Sequence, residues 1–421
     1  MIQKFLAIIH SRLIYRVQTA HVLRSIALSF VSVYVPAFLL THGYSLQETI
    51  LFYALSHGIG LLAVFVLIVP MLRRWGMVTT MRLHYPLQMA FLLILLLGNG
   101  SSVTVWTATI IGGIANMIYW VPLNILFMKH TDKNSLAKDF SLFFALPQIF
   151  GMIGPLVGVL LVITLGFWAN FTVAFLGLIL SALPLRALES DERINLQFSQ
   201  AFAQFRRRKL LFFLEGFDNI IEESEWLWGI IVYLLIGSLT TPGIVSSLTS
   251  LGGALFTILV GRYINKQKST LPILYVSIIG LALVWFSRFF ISTPLPAYII
   301  TVISSFIMTL FLVSYFAIIY RKVKDDQDAE FIILREIPTV LGRMVVFGIA
   351  LLVASDIEKF YFLPVVAMAV LLLAVTIAQK KLNAVPSIYF TDLWNQRKKN
   401  DQRSALGYSS SVMEKSSSGN E

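Results

Sequence analysis

Long apolar stretches recur along the whole chain, so closely spaced that little else fits between them. Twelve are found, at about 21–41, 48–70, 82–98, 103–128, 140–165, 167–186, 210–237, 243–262, 271–289, 293–320, 331–354 and 358–379. A run of about 20 apolar residues matches the hydrocarbon thickness of a bilayer, and a helix satisfies its own backbone there. Only 13% of the 421 residues are charged and the mean hydropathy is +0.78, whereas a soluble domain carries roughly 25% charge. This excludes a water-soluble enzyme. The pattern predicts an all-α membrane protein of twelve transmembrane helices, built as two pseudo-symmetric six-helix bundles.

The organisation follows. Residues 1–20 read as an amphipathic cytoplasmic segment, 21–186 as the N-terminal bundle and 187–209 as a cytoplasmic linker. Residues 210–380 form the C-terminal bundle, and the serine-rich 381–421 a cytoplasmic, partly disordered tail. The net charge of +11 is distributed with a purpose. With the N-terminus placed in the cytoplasm, 29 of the 33 lysines and arginines fall on the cytoplasmic side; two, Arg288 and Lys359, fall outside, and Arg335 and Arg343 lie within the eleventh segment. Cytoplasmic loops retain positive charge, so the surplus is a topology signal and not a nucleic-acid footprint. An even helix count and two cytoplasmic termini are expected, in the plasma (inner) membrane.

The halves echo each other. Shifted by 191 residues, Leu146–Gly151 (LPQIFG) falls on Ile337–Gly342 (IPTVLG) and Asp139 on Glu330. Such repeats are common in secondary transporters. The chain also resembles the major facilitator superfamily, whose basic loop between helices two and three repeats between eight and nine. Here the first copy keeps Arg74 and Gly76 but has Arg73 in the aspartate's place; the second keeps Gly261, with Asn265 in that place. Gly151, Gly154, Pro155 and Gly158 of segment five look like that family's antiporter motif. Glycines let helices approach closely and proline frees a carbonyl, which suits either a rocking contact or plain packing.

Segment seven is the most chemically loaded. Glu215, Asp218, Glu222 and Glu225 recur at i, i+3, i+7 and i+10 on one helical face, with Glu223 to one side. Ionisable groups in mid-bilayer face water or a partner, and by the resemblance this face lines the substrate path. Asp218, Glu222 and Glu225 are therefore candidate coupling groups, Glu223 a structural partner. Asn116, Trp120 and Asn124, with Tyr119 beside them, share roughly one face of segment four and are candidate cavity residues. Glu336 and Arg343, seven apart on segment eleven, are expected to form an ion pair. His57 suits a proton relay or a hydrogen bond between helices. Ser304, Ser305, Thr309 and Tyr315 back-bond within helices so readily that no role follows.

No cysteine is present, and the six histidines are scattered, so disulfide, iron–sulfur and zinc chemistry are not indicated. No phosphate-binding G-x-x-x-x-G-K-[ST] occurs. The expectation is a secondary transporter moving a small organic solute by proton-coupled export, without cofactor or metal, as a monomer in the lipid bilayer. A lipid flippase or scramblase on the same fold, or an intramembrane enzyme using the segment-seven carboxylates, are the alternatives.

Overall fold

The computed structural model describes residues 12–383, apart from 99, 132–135, 187, 189–191, 195–202, 204, 207, 267–268 and 324–327. Residues 1–11, the tail beyond 383 and most of the linker thus lie outside the described residues. Met1–Ile377 form one compact unit and Ala378–Glu421 a second, of which the end of the last helix is described.

Everything regular among the described residues is helical. Helix α1 comprises Arg12–Ser29 and Tyr34–Thr41, and α2 runs from Leu46 through a π turn to Arg74. Helix α3 comprises Met77–Arg82 and His84–Gly98. Then come α4 (Ser102–His130), α5 (Leu136–Gly151 and Gly154–Leu165), α6 (Phe167–Arg186), α7 (Lys209–Ile236) and α8 (Thr241–Lys266). The last four are α9 (Leu271–Ser287), α10 (Pro294–Val323), α11 (Asp328–Leu352) and α12 (Phe362–Asn383). Among the described residues ten helices are long and apolar enough to cross a membrane, and the chain is a multi-pass membrane protein. The two long helices that fall short by composition are α7 and α11, the most heavily charged, and they pack on each other.

One boundary differs from the sequence reading. Helix α1 begins at Arg12, so residues 12–20 belong to it instead of lying on the surface; Val17 and Ala20 are fully buried. The interleaved basic residues that suggest a surface helix are offset by this packed apolar stripe. Ser45 starts α2 with a reciprocal cap: its Oγ accepts from the Glu48 backbone N–H, and the Glu48 carboxylate accepts from the Ser45 N–H, closing two orphan donors. Gly76, between α2 and α3, adopts φ +85°, where any side chain would be strained.

Helix α1 packs on α5 and α6, α4 on α2 and α3, and α10 on α8 and α9; α5 also runs along α8, and α2 along α11. The 191-residue offset reappears in these contacts. Gly151 of α5 faces Ser25 of α1, and Gly342 of α11 lies on the backbone of Gly216 of α7. Both members of the second pair stand 191 residues after those of the first. Small residues at these crossings let backbones meet.

Prolines in α5 are compensated from its neighbours. Pro147 lacks an N–H for the Phe143 carbonyl, and Gln18 of α1 donates to that oxygen at 3.1 Å. At the break before Gly154, Ser247 of α8 donates to Met152 O at 2.9 Å and Tyr34 of α1 to Pro155 O at 2.8 Å. Helix α5 is therefore clasped from both sides. A Cβ on Gly154 would overlap Ser29, and one on Gly158 would press on Phe30 O and the Tyr34 ring. The glycine motif thus seats α5 on α1, while the contact with α8 is made through Gly243, which lies against Tyr34, Val159 and Pro155 O.

Candidate functional site

Glycines 216 and 342 bring α7 and α11 close enough for their charges to interlock. Glu215 is 1% exposed; Tyr315 of α10 donates to its Oε2 at 3.1 Å and Arg335 Nε stands 3.4 Å from Oε1. Two turns on, Glu223 Oε2 lies 3.1 Å from Arg343 Nε. His57 of α2 completes this knot, with Nε2 3.8 Å from Glu223 and Nδ1 3.4 Å from Arg343 Nη1.

The anticipated pairing of Glu336 with Arg343 is not formed. Seven residues along a helix span about 10 Å at 1.5 Å each, beyond the reach of an ion pair, and the crossing with α7 gives Arg343 a nearer partner in Glu223. Glu336 is buried, with no ion pair within 4 Å among the described residues.

Glu225 is also partnered. Arg288 Nη2 donates to its Oε2 at 2.8 Å, and so does Ser304 Oγ of α10 at 2.8 Å. The guanidinium lies between two rings, 3.8 Å from the Trp285 centroid and 4.2 Å from that of Trp228, well within cation–π range. Arg288 is 1% exposed. It is therefore an interior residue and not the flanking charge that its position at the end of segment nine suggests.

Of the five carboxylates on α7, then, three are answered by arginines. Two are not. Asp218 is 1% exposed, and its Oδ1 has no hydrogen-bond partner among the described residues. Glu222 makes no ion pair there and is exposed. It stands seven residues after Glu215 and four after Asp218, hence on their face of the helix. Because Glu215 and Asp218 on that face are buried, its exposure marks accessible space on the packed side of α7.

A second polar cluster, which the sequence reading passed over, lies among α1, α3 and α4. Arg24 Nε is 2.7 Å from His84 Nε2, and His84 Nδ1 is 2.8 Å from Ala115 O. A carbonyl can only accept, so Nδ1 carries the proton and Nε2 accepts from Arg24. The guanidinium sits 3.9 Å from the Tyr119 ring centroid, and the Tyr119 hydroxyl is 2.7 Å from His21 Nδ1. Of the segment-four candidates, half-buried Trp120 belongs to this cluster, 5.8 Å from the Arg24 guanidinium and stacked on Phe144. Asn116 is half-buried one turn earlier and Asn124 buried one turn later. The signal available in the sequence was an arginine inside an apolar segment, read there as a flanking charge.

The loop residues lie away from both clusters. Arg74 is exposed at the end of α2 and Gly261 is buried near the end of α8. Beside Gly76, the Met77 N–H donates to Glu192 O at 3.0 Å, while the Glu192 carboxylate meets Lys129 at 3.2 Å and His130 at 3.0 Å. A linker carboxylate thus docks where the loop itself has none. Among the described residues no cluster of three or more His, Asp or Glu could hold a metal ion.

No protein-family model matches the sequence, and no curated protein does. Solved structures do match. The major facilitator superfamily transporter FucP in its outward conformation superposes with a TM-score of 0.65 at 11% identity, covering 86% of this chain and 97% of that one. The chain has the major facilitator superfamily fold. A human organic anion transporter, MFSD10, matches with a TM-score of 0.62 at 13% identity over 86% of this chain and 99% of its own. A bacterial homologue of the iron transporter ferroportin, outward-facing, gives 0.65 at 12% identity over 87% and 99%.

Proposed function

We propose that this chain is a secondary active transporter that moves a small organic solute by alternating access, exporting it in exchange for protons. On this reading two six-helix bundles, α1–α6 and α7–α12, related by a pseudo-two-fold axis along the membrane normal, rock against each other; both termini are cytoplasmic, and the monomer in the plasma (inner) membrane needs no cofactor.

The observation that carries the reading is the unanswered charge of Asp218 and Glu222. Three arginines neutralise Glu215, Glu223 and Glu225 along about 15 Å of α7, at 1.5 Å per residue, and leave two carboxylates without a fixed cation. A carboxylate at membrane depth is costly unless water, a proton or a cation meets it, so these two suit a mobile partner. Competition between proton and solute for such a site couples the two fluxes, since loss of one favours binding of the other. The contacts between the bundles supply moving parts: α5 against α8 through Gly243, and α2 against α7 and α11 through His57. The direction of transport rests on the likeness of the α5 motif to antiporters.

The test is transport by purified protein in liposomes over a panel of small organic solutes, with and without an imposed pH gradient. Gradient-dependent accumulation of an unaltered solute is expected. Transport indifferent to the gradient would remove the proton from the account, and a chemically altered product would point to an enzyme.

A further inference from the structure

Arg24 and Glu215 stand 191 residues apart, the offset that relates Ser25 to Gly216 and Gly151 to Gly342. They occupy the same place in the two halves and carry opposite charges. Their surroundings differ in one decisive way. Glu215 is answered by Arg335, but the residue 191 before Arg335 is Phe144, so the N-terminal half has no acid at the corresponding point.

Nothing else replaces it. Among the described residues no carboxylate lies within 4 Å of Arg24, which is 7% exposed. The groups packed around it are His21 on its own helix, His84 and Tyr85 on α3, and Tyr119 and Trp120 on α4. His84 is held as the neutral tautomer that accepts from Arg24 Nε, and the two rings offer π faces. None supplies negative charge. Both Nη groups make no hydrogen bond among the described residues, so the planar fork that matches two oxygens of a carboxylate or phosphate is unspent. Trp120 and half-buried Asn116, one turn apart on α4, provide an apolar wall and an amide close by.

We propose that Arg24 is the subsite for an oxyanion group of the solute, a carboxylate or phosphate monoester, with Trp120 and Asn116 holding the adjoining part. The proposal rests on the transporter reading and gives it a substrate class. The anion is then held apart from the α7 carboxylates: the N-terminal half grips it, while the remaining part of the solute competes with the proton at Asp218 and Glu222.

Thermal unfolding and tryptophan fluorescence of purified protein in detergent test this, with benzoate, glycerol 3-phosphate and inorganic phosphate as probes and benzamide and glycerol as uncharged counterparts. At least one oxyanion is expected to raise the melting temperature saturably and change the fluorescence, while its neutral counterpart does neither. Arg24→Gln should weaken that response at least about tenfold, the loss of one charged hydrogen bond. Arg24→Lys keeps the charge but loses the fork and should weaken it as well, which covers the case of a glutamine variant that does not fold. Indifference of the wild type to all three oxyanions, equal response to the neutral counterparts, or an undiminished response in Arg24→Lys and Arg24→Gln overturns the subsite. Oxyanion binding without transport in liposomes would instead fail the transporter reading alone.

Discussion

Arg343 of α11 and Glu223 of α7 meet at 3.1 Å, and His57 of α2 touches both. One ion pair thus ties two helices of the C-terminal half to a helix of the N-terminal half. Removing one partner of a buried pair strands the other, at a cost of about 3–5 kcal/mol. Arg343→Ala should therefore lower the melting temperature in detergent sharply, and Arg343→Met with Glu223→Leu should recover most of it. A full loss in the double variant would mean that the pair is needed beyond mutual neutralisation.

Glu225 calls for a different expectation from its neighbours on the stripe. Arg288, held between Trp285 and Trp228, donates to it with Ser304, so the group is a structural anchor. Glu225→Gln should reduce thermal stability by about 1–3 kcal/mol, the scale of a lost charged hydrogen bond, while the pH dependence of any transport stays that of the wild type. A variant of normal stability with altered pH dependence would return Glu225 to the coupling set.

The α5–α8 contact can be probed without disturbing either half. Gly154→Leu would drive a side chain into Ser29 of α1 and should damage folding. Gly243→Leu meets Tyr34, Val159 and Pro155 O across to the other half. It should leave the protein folded but shift the balance of open states. Cysteines placed in turn at Ser45 and Asn116 of this cysteine-free chain should then change in accessibility to a membrane-impermeant reagent at Asn116 alone. Unchanged labelling at Asn116 would leave α5–α8 as static packing.

Topology has its own check. Cysteines at Ser45 and Ser410 should label from opposite faces of the membrane, Ser410 from the cytoplasm. Labelling of both from one face contradicts the orientation drawn from the basic residues.

Much of this was legible in the sequence because hydropathy and helical period are local. The twelve apolar stretches all coincide with helices, and the acidic face of α7 follows from spacing alone. Partnerships were not legible, because they depend on where helices cross. Glu336 and Arg343 share a face but sit two turns apart, whereas Gly216 and Gly342 set a crossing that delivers Glu223 instead. In the sequence Arg24 and Arg288 count only as flanking charges for the same reason: a single arginine near the end of an apolar stretch looks like a flank until aromatic rings are seen to enclose it.

The central claim is that Asp218 and Glu222 carry the coupling proton. The most direct measurement follows proton movement in proteoliposomes with a trapped pH indicator as a transported solute is added, beside solute exchange at equal pH on both sides. With Asp218→Asn and Glu222→Gln combined, the account predicts that solute-induced proton movement disappears while exchange of labelled for unlabelled solute continues. Proton movement at the wild-type rate in that double variant would contradict it.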